Sequence, residues 1–468
     1  MGGGKYLSVY EKVEVTDIGA GGIAVAKAGS LVIFLPGAVP GDVADIQIVR
    51  RKRNYLEGIP VKFHKMSPDR ETPLCEHFGV CGGCSWQCLK YEKQLFFKEK
   101  SVKDAMERIA KAEIRESHQI LGSPQQYYYR NKLEYTFSEK KWLTDEEIKT
   151  TQTLSRENAL GFHKPGHFDR VIDIYKCHLQ PEPTNLIRNA LRDYAKTLGL
   201  SFYNLKEHRG FLRNLIIRNT LGGRVMVIVV FHEHEEEKVK GVLEFLRKEF
   251  PDIASLMYII NKKKNDTITD QEVLLHSGDA YLTEEMNDLK FRIGPKSFYQ
   301  TNTRQAIRLY ETVKQMAALT GKEIVYDLYS GTGTIACFLA RSSRSVIGLE
   351  YVREAIDDAR INAEINNLDN VTFIEGDIKE LLSEGLFGKM GGPDVVITDP
   401  PRSGMHKDVV MAILKAAPER IVYVSCNPAT QARDIQLLSE KYSVDSIQPV
   451  DMFPHTQHVE NVALLIRK

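Results

Sequence analysis

Val422-Tyr423-Val424-Ser425-Cys426-Asn427-Pro428 is the stretch of sequence that decides the fold. The run from Arg420 to Ser425 is rich in β-branched residues, which predicts a buried parallel strand. Asn427-Pro428 marks the end of that strand, and the pattern from Ala429 onward is helical. A strand that leads directly into a helix indicates an open α/β sheet, where ligands bind at the carboxyl ends of the strands.

Cys426 stands at the carboxyl end of this predicted strand. A free cysteine is often only a small buried hydrophobic residue, and position alone does not separate that interpretation from a functional one. Two acidic residues favour the functional one, because Asp399 follows the predicted strand Asp394–Thr398 and Glu460 lies where the predicted last strand begins. A thiol and a carboxylate at one edge of a sheet can serve as a nucleophile and a base.

Strands and helices alternate after Gly294, which predicts a doubly wound α/β sheet. The predicted strand Ile324–Leu328 leads into Tyr329-Ser330-Gly331-Thr332-Gly333-Thr334, whose glycines let a cofactor approach the backbone. Glu350, at the tip of the next strand, can bind both ribose hydroxyls of an adenosine, and Asp377, after the third, is placed for the adenine amine. The third glycine of a dinucleotide fingerprint is missing, so the pattern indicates S-adenosylmethionine rather than a nicotinamide cofactor.

The composition is that of an ordinary globular protein: of 468 residues, 27% are charged and 43% are hydrophobic. The net charge of +1 gives no overall attraction to nucleic acid, so any such binding must come from local patches. No apolar run approaches the roughly 20 residues that span a bilayer. Met1–Tyr10 also lacks the apolar core of a signal peptide. We therefore expect a cytoplasmic protein that does not bind a membrane.

Residues 1–66 predict a small barrel of the oligonucleotide-binding (OB) type. Short alternating segments between Tyr10 and Phe63 are separated by glycine turns such as Gly19–Gly22. Arg50-Arg51-Lys52-Arg53, followed by Tyr55, puts positive charge and an aromatic ring at one strand end. In isolation such a run is a solvated surface, whereas on a small barrel it equally indicates contact with an RNA backbone.

Seven cysteines are unevenly distributed, and an odd number in a long cytoplasmic chain argues against a disulfide framework. Cys75, Cys81 and Cys84 lie close together, and the glycines between the last two let the loop wrap closely around an inorganic centre. Four thiolates hold either zinc or an iron–sulfur cluster. Such a centre is expected to fold its domain rather than to react.

Cys88 and Cys177 compete for the place of the fourth ligand. Cys88 falls within Trp86–Phe97, a segment with a helical pattern that leads away from the cysteine loop, so we expect Cys177 to be the ligand. Residues 67–293 are predicted to form an α+β domain around this centre, and residues 294–468 the α/β domain. Within the α+β domain, Tyr129–Phe137 alternates and carries basic and aromatic side chains, which predicts a strand.

Together these motifs resemble the RNA uracil-C5 methyltransferase family, and the likeness covers nearly the whole chain. The N-terminal barrel resembles the TRAM domain of that family. The matching motifs, in chain order, are Ser297–Asn302 (Ser-Phe-Tyr-Gln-Thr-Asn), Asp327–Thr334, Asp399–Arg402, Ser425–Pro428 and Phe453–Glu460. The helix after the cysteine loop packs on the catalytic domain in this family. We therefore expect a helix near residues 92–112 to do so here, which would make the central domain discontinuous.

The resemblance also implies residue roles, with Cys426 as the nucleophile and Glu460 as the base. The residues implied to contact S-adenosylmethionine are Gln300, Tyr329, Glu350, Asp377 and Asp399. The implied ligands of a four-iron, four-sulfur (4Fe–4S) cluster are Cys75, Cys81, Cys84 and Cys177. Two departures from the family pattern are Ser330, where a cysteine is frequent, and the extra thiol of Cys88.

The chemistry of uracil explains why these residue types are needed. C5 is a poor nucleophile until a thiolate adds to C6, and its proton must then leave before the thiolate can be eliminated. The base must be flipped out or already lie in a loop, so an RNA partner is expected and no obligate protein partner. We favour 23S rRNA as the substrate, because barrel and cluster together resemble the ribosomal enzymes; transfer RNA is the alternative.

Two other classes of function are weaker. A non-catalytic RNA-binding scaffold would not need both Cys426 and Glu460. A methyltransferase for the adenine amino group usually has an aromatic residue after the prolines of its Asp-Pro-Pro motif, to stack on the base, and here that residue is Arg402. A radical mechanism is also disfavoured, because the cysteine spacing differs from the x3, x2 order that it would require.

Overall fold

The computed structural model describes residues 8–150, 157–382 and 384–468. The first seven residues of the segment predicted to lack a signal peptide lie outside these ranges. No helix in the described ranges is long and apolar enough to cross a membrane.

The chain begins with a closed five-stranded barrel in the strand order β1-β2-β3-β5-β4. Its strands are β1 (Val9–Ile18), β2 (Ala24–Ala28), β3 (Leu31–Leu35), β4 (Val43–Arg51) and β5 (Tyr55–Lys65). Alternate residues point inward, so Ile33, Ile46 and Leu56 are fully buried in the barrel core. Gly58 is required on β5 because a Cβ there would stand 2.6 Å from the Ile46 side chain. The predicted barrel is therefore confirmed.

The cysteine loop between the barrel and the first helix has no regular secondary structure. Helix α1 (Tyr91–Ala105) follows and continues into a π-helical turn, Met106–Ala110. The prediction that Cys88 lies in a helix is wrong. The helix begins later because the Cys88 carbonyl accepts a hydrogen bond from the Glu71 N–H, and Leu89 forms a β-bridge with Arg70.

The next strand, β6 (Ile114–Ser117), joins the sheet formed by the C-terminal part of the chain, where Ile114 pairs with Val444. Helix α1 and its π-helical turn also pack on that part of the fold. The segment after the cysteine loop therefore contacts the C-terminal sheet through both its helix and its strand. The domain boundaries at residues 66/67 and 293/294 stay predictions.

A seven-stranded sheet in the order β13-β12-β11-β10-β7-β8-β9 forms the centre of the molecule. The strands are β7 (Lys132–Lys140), β8 (Glu157–Lys164), β9 (His167–Asp173), β10 (Leu212–Asn219), β11 (Val225–Phe231), β12 (Ile253–Ile260) and β13 (Leu274–Gly278). The helices are α2 (Asp145–Thr150), α3 (Thr184–Thr197) and α4 (Glu236–Glu249). Helices α3 and α4 share one hydrophobic core with this sheet.

The strand predicted over Tyr129–Phe137 begins only at Lys132. The N–H groups of Arg130 and Asn131 donate instead to the carbonyls of Leu179 and Thr301, at 2.8 Å each. At these two residues, hydrogen bonds to distant segments take the place of hydrogen bonds to a neighbouring strand. The alternating pattern therefore predicts the strand but not the residue at which it begins.

After the hairpin β14 (Leu282–Met286) and β15 (Leu289–Ile293), the chain forms an eight-stranded sheet in the order β18-β17-β16-β19-β20-β22-β21-β6. The remaining strands are β16 (Ile324–Leu328), β17 (Ser345–Glu350), β18 (Val371–Glu375), β19 (Val395–Thr398), β20 (Arg420–Ser425), β21 (Tyr442–Val450) and β22 (Glu460–Arg467). The helices are α5 (Thr303–Ala317), α6 (Thr334–Ala340), α7 (Arg353–Ile365), α8 (Ile378–Leu381), α9 (Glu384–Met390), α10 (Lys407–Ala416) and α11 (Pro428–Leu438).

Strands β16 to β20 are parallel, and helices cover both faces of their sheet. Alternate residues enter opposite cores: Val422 packs on the side of α5 and α6, whereas Tyr423 packs on the side of α10 and α11. The strand order reverses between β16 and β19, which creates the crevice where doubly wound sheets bind their ligands. The predicted α/β fold is confirmed.

Candidate functional site

The carboxyl ends of neighbouring strands bring most of the predicted site residues to one edge of the sheet. Strands β16, β17 and β19 end in register, so Tyr329, Glu350 and Asp399 stand side by side. Glu350 pairs with Glu375 of β18, which places Asp377 two residues farther along the same edge. Gln300 comes from the loop before α5, and its carbonyl accepts a 2.8 Å hydrogen bond from Asn131.

The turn after β16 is a tight glycine loop. Tyr329, Gly331 and Gly333 all adopt positive φ angles of 62°, 54° and 76°. A Cβ at Gly333 would lie 2.6 Å from the Phe373 ring, whereas a Cβ at Gly331 would meet nothing within 4 Å. The loop is therefore packed on its inner side and open on its outer side, as a backbone that cradles a cofactor must be.

Glu350 is held in place by three backbone N–H groups. The N–H groups of Tyr351 and Val352 donate to one carboxylate oxygen at 2.9 Å, and that of Gly331 donates to the other at 3.0 Å. Its carboxylate is thus fixed in orientation and retains acceptor capacity for the hydroxyls of a ribose. Asp377 caps the start of α8 by accepting from the Lys379 N–H at 3.1 Å.

A cleft of about 750 Å³ opens beside these groups and is lined by Tyr329, Tyr351 and Asp377 together with His406 and Arg433. Tyr351 is 74% exposed, which leaves its ring free to cover a planar ligand. Our sequence reasoning missed Tyr351. The sequence does contain a signal for this residue, which is an aromatic ring directly after the acidic residue at the strand end. Exposing such a ring to solvent is costly unless a ligand covers it.

Cys426 and Glu460 face each other across two strands. The antiparallel pairing of Ser425 with Asn461 places the next residues, Cys426 and Glu460, opposite one another. The parallel pairing of β19 with β20 brings Asp399 to the same place. A thiol and two carboxyl groups therefore converge at the crevice, as the sequence predicts.

Burial is the main reason that the pKa of each of these three acidic groups is raised. Burial, followed by Glu460 and Asp399, raises the pKa of Cys426 to about 11, against an opposing effect of Arg402. Burial also raises the pKa of Asp399 to about 7. The pKa of Glu460 is raised well above its usual range by burial and then by Asp399. The thiol and the two carboxyl groups therefore favour their protonated forms until a cation enters the site.

Cys426 lies in a second cleft of about 610 Å³ that is built from three parts of the chain. Its walls come from the barrel turn Asp17–Gly22, from the exposed side of α1, and from Arg402 and His458 of the C-terminal domain. The barrel turn sits directly on the catalytic domain, because a Cβ at Gly22 would overlap Gln457, and the Gly22 carbonyl accepts a 2.9 Å hydrogen bond from the Trp86 indole.

Arg402 is the cation nearest this chemistry that our sequence reasoning did not assign. Its carbonyl is anchored by the side chains of Asn427 and Thr430, at 3.0 and 3.2 Å. Its side chain is exposed in the cleft and makes no ion pair within the part of the chain that the structure describes. An unpaired guanidinium beside Cys426 favours the thiolate and is available to an anionic ligand.

Cys75, Cys81, Cys84 and Cys177 are electrostatic neighbours. Burial, with a smaller contribution from the adjoining thiolates, raises the pKa of Cys81 to about 12 and that of Cys84 to about 11. In residues 8–150, 157–382 and 384–468, no three His, Cys, Asp or Glu side chains are arranged to hold a single metal ion. Cys88 packs apart from these four thiols, against Val39, Trp86 and Leu89.

Comparison with known proteins agrees with this geometry. Residues 205–468 match the tRNA (uracil-5-)-methyltransferase family, and residues 7–61 match the TRAM domain. An RNA methyltransferase of Bacteroides thetaiotaomicron, described as uncharacterized, is 56% identical over 95% of this chain and 99% of its own length. A similar relative in Porphyromonas gingivalis is 51% identical over 97% of this chain and 99% of its own length.

Among solved structures, the tRNA (uracil-54, C5)-methyltransferase of Pyrococcus abyssi in complex with S-adenosyl-L-homocysteine is similar, with a TM-score of 0.74 and 30% identity. The match covers 97% of this chain and all of that chain. Fold and site thus define an S-adenosylmethionine-dependent RNA methyltransferase with an N-terminal TRAM domain. The chain belongs to the tRNA (uracil-5-)-methyltransferase family, as the sequence motifs predict.

Proposed function

We propose that this protein transfers a methyl group from S-adenosylmethionine to C5 of a uridine in RNA and so forms 5-methyluridine. The observation that carries the proposal is the opposition of Cys426 and Glu460 across β20 and β22, at the crevice of the sheet. A nucleophile that adds to C6 and a base that removes the C5 proton are the two groups that this reaction needs.

The residues at the crevice fit the cofactor. The open outer side of Gly331, the fixed carboxylate of Glu350 and the exposed ring of Tyr351 suit an adenosine. We assign the contacts to Gln300, Tyr329, Glu350, Asp377 and Asp399. When bound, S-adenosylmethionine supplies an electrophilic methyl group and a positive charge. That charge beside Asp399 and Glu460 lowers the pKa of both carboxyl groups.

The reaction then follows from the chain's own residues. The Cys426 thiolate adds to C6 of the uracil, which forms a C–S bond and makes C5 nucleophilic. C5 takes up the methyl group and still carries its proton. Glu460 removes that proton, the C5–C6 double bond re-forms, and the thiolate leaves. Arg402 favours the thiolate at both ends of this cycle.

The RNA substrate is proposed to enter the cleft that holds Cys426, since its walls include the TRAM barrel. We propose 23S rRNA as the substrate from the resemblance to ribosomal enzymes. Transfer RNA is the second candidate, and a specific observation favours it. The Pyrococcus abyssi enzyme acts on tRNA and its match extends over 97% of this chain, so a barrel by itself does not distinguish the two RNAs.

The decisive experiment supplies the purified protein with methyl-labelled S-adenosylmethionine and, separately, unmodified 23S rRNA and tRNA transcripts. Label in 5-methyluridine after nuclease digestion is the expected result, and the RNA that carries it identifies the substrate. Label in a methylated adenine would instead assign an amino-methyltransferase, and an absence of label in both RNAs would favour a binding protein. Mapping 5-methyluridine in total RNA from a strain that lacks the protein then locates the uridine.

We further propose a 4Fe–4S cluster on Cys75, Cys81, Cys84 and Cys177. The four thiols suit such a group by their number, their chemistry and the electrostatic coupling between them. A four-iron cluster takes one thiolate on each iron, so it does not need three of them around a single ion. Buried thiols of raised pKa become thiolates together only when a metal centre compensates their charge. A cluster here would fold the cysteine loop and take no part in methyl transfer.

We expect anaerobically purified protein to be brown and to contain iron and acid-labile sulfide. Cys177→Ser should lose most of the iron, because one of four ligands is gone. Cys88→Ser is the matched control and should retain it, since Cys88 packs apart from the other thiols. Both variants are read by iron content and by the visible absorbance of the cluster. Zinc in place of iron, or iron lost from Cys88→Ser alone, would contradict this ligand set.

The family relatives are RNA methyltransferases, which supports a cytoplasmic location, and we propose that location here. RNA is the partner that the cleft and the TRAM domain support. No protein partner is needed for the chemistry that we propose.

A further inference from the structure

The segment that carries Glu460 into the site has no regular structure of its own. Asp451–Val459 connects β21 to β22 as an irregular loop. Glu460 is the first residue of β22, where it pairs with Val450 of β21, so its backbone is held by the sheet on one side and by the loop on the other. A base must be held within about 0.5 Å of its productive position to work efficiently. The hold on this loop must therefore come from other elements.

Helix α1 holds the beginning of the loop through a buried ion pair. The side chains of Lys98 and Asp451 are both completely inaccessible to solvent, and the ammonium lies 2.5 Å from the carboxylate. The same ammonium donates to the Phe453 carbonyl at 3.0 Å. Tyr91, the first residue of the same helix, donates to the other Asp451 oxygen at 2.7 Å.

Gln94 of α1 holds the middle of the loop. Its carbonyl oxygen accepts a 2.8 Å hydrogen bond from the His455 N–H, and its amide nitrogen lies 3.2 Å from the His455 ring. The N–H groups of Ser85 and Trp86 donate to the His455 carbonyl at 2.9 and 3.0 Å. His455 has a φ of 64°, which a residue with a side chain adopts only when its surroundings impose it.

Stability alone does not explain the buried ion pair. Two charges lose their hydration in the interior, so well-packed apolar residues of similar volume are often as stable or more stable. An ion pair adds a directional constraint, because the Lys98 ammonium must lie at one position to donate to both the Asp451 carboxylate and the Phe453 carbonyl. The pair therefore fixes where the loop starts relative to α1.

We propose that Lys98 and Gln94 are positioning residues for Glu460. The pairing of β22 with β20 sets Glu460 opposite Cys426, and helix α1, by fixing the loop Asp451–Val459, holds the end of β22 that carries the Glu460 carboxylate. This inference deepens the proposed function and rests on it, because it takes Glu460 to be the base. Lys98 and Gln94 line neither of the two clefts, so their effect on Glu460 is carried by the loop.

A displaced base has a specific consequence. Thiolate addition and methyl transfer use Cys426 and the cofactor edge, whose reacting groups lie outside the loop. Removal of the C5 proton does depend on it, so a loosened loop leaves the covalent protein–RNA adduct waiting for its base. In a variant that is only less stable, every step of the reaction slows by the same factor, so no adduct accumulates.

The test uses two variants of the full-length protein. Lys98→Met with Asp451→Asn removes both charges together and leaves no unpaired ion in the interior. Gln94→Met removes the bonds to His455, together with those that the Gln94 amide donates to the carbonyls of Trp86 and Leu89, at nearly constant volume. It covers the case in which the first variant does not fold. Lys103→Met is the matched control, since Lys103 is an exposed lysine of the same helix that pairs with Glu99 at 2.7 Å.

We expect kcat to fall about 100-fold in both test variants, as for a misplacement on the order of 1 Å. A methyl-labelled adduct should survive denaturing electrophoresis in both, and Lys103→Met should behave as the wild type. Glu460→Gln serves as the reference for a trapped adduct. Slower turnover without adduct, or unchanged turnover, would overturn the positioning role if Glu460→Gln does trap one. If Glu460→Gln traps none, the base assignment falls, and the positioning role falls with it.

Discussion

Methylation by a Cys426→Ala variant is expected to fall by on the order of 10⁴-fold or more, to the background rate. Without the thiol no bond to C6 forms, and C5 stays too poor a nucleophile to accept a methyl group. The side chain stands at a strand end and does not contribute to the hydrophobic cores. Binding of S-adenosylmethionine should therefore be unchanged, which titration calorimetry measures beside an assay for 5-methyluridine.

Cys337→Ala is the matched control for this experiment. Cys337 is buried in the core beside α5 and lines neither cleft, so its variant should lose some stability but keep its activity. Turnover of Cys426→Ala at the wild-type rate would remove the covalent mechanism. The wild-type kcat/KM should also rise from neutral toward alkaline pH. The reason is that burial raises the pKa of the Cys426 thiol to about 11, and only the thiolate attacks.

Glu460→Gln is expected to stop turnover at a different step. The amide cannot remove a proton, but Cys426 can still add to C6 and C5 can still be methylated. The adduct cannot collapse while C5 keeps its proton, so a protein–RNA species should accumulate and survive denaturing electrophoresis. It should also carry label from methyl-labelled S-adenosylmethionine. Release of free RNA should fall by about 10²- to 10⁴-fold, the usual contribution of a general base.

Glu419→Gln provides the matched control. Glu419 is exposed and lies immediately before β20, at the opposite end of the strand that leads to Cys426. This variant should form no adduct and turn over normally. If Glu460 only caps its strand or balances Arg402, Glu460→Gln would be slower or less stable without a trapped species. Gels that show free RNA at every time point, from a folded and cofactor-binding variant, would therefore end its assignment as the base.

The sequence predicts the strand edge of the catalytic domain closely. Arg420–Ser425 and Ile324–Leu328 are strands with the predicted bounds, because short β-branched runs ended by glycine, asparagine or proline are local signals. Once parallel strands are recognised, their carboxyl ends must meet at one edge. For that reason Glu350, Asp399 and Cys426 could be placed together without coordinates.

Other parts of the site depend on contacts between distant residues. The start of β7 is set by carbonyls of Leu179 and Thr301, and Cys88 is kept out of α1 by a bridge to residues near Arg70. Arg402 stands out only when the structure shows its unpaired side chain in the cleft with Cys426. None of these contacts produces a periodic pattern in the sequence of the segments that make it.

Lys98 illustrates the division most clearly. By itself, a lysine in a helix rich in charged residues predicts a solvated side chain. It is buried because Asp451, 353 positions away, supplies the charge that offsets its lost hydration. The sequence by itself thus determines the strands, their tips and the chemical groups that stand on them. Which helix steadies the base, and which barrel turn closes the cleft, is decided only by tertiary packing, because burial and charge pairing are properties of the folded chain.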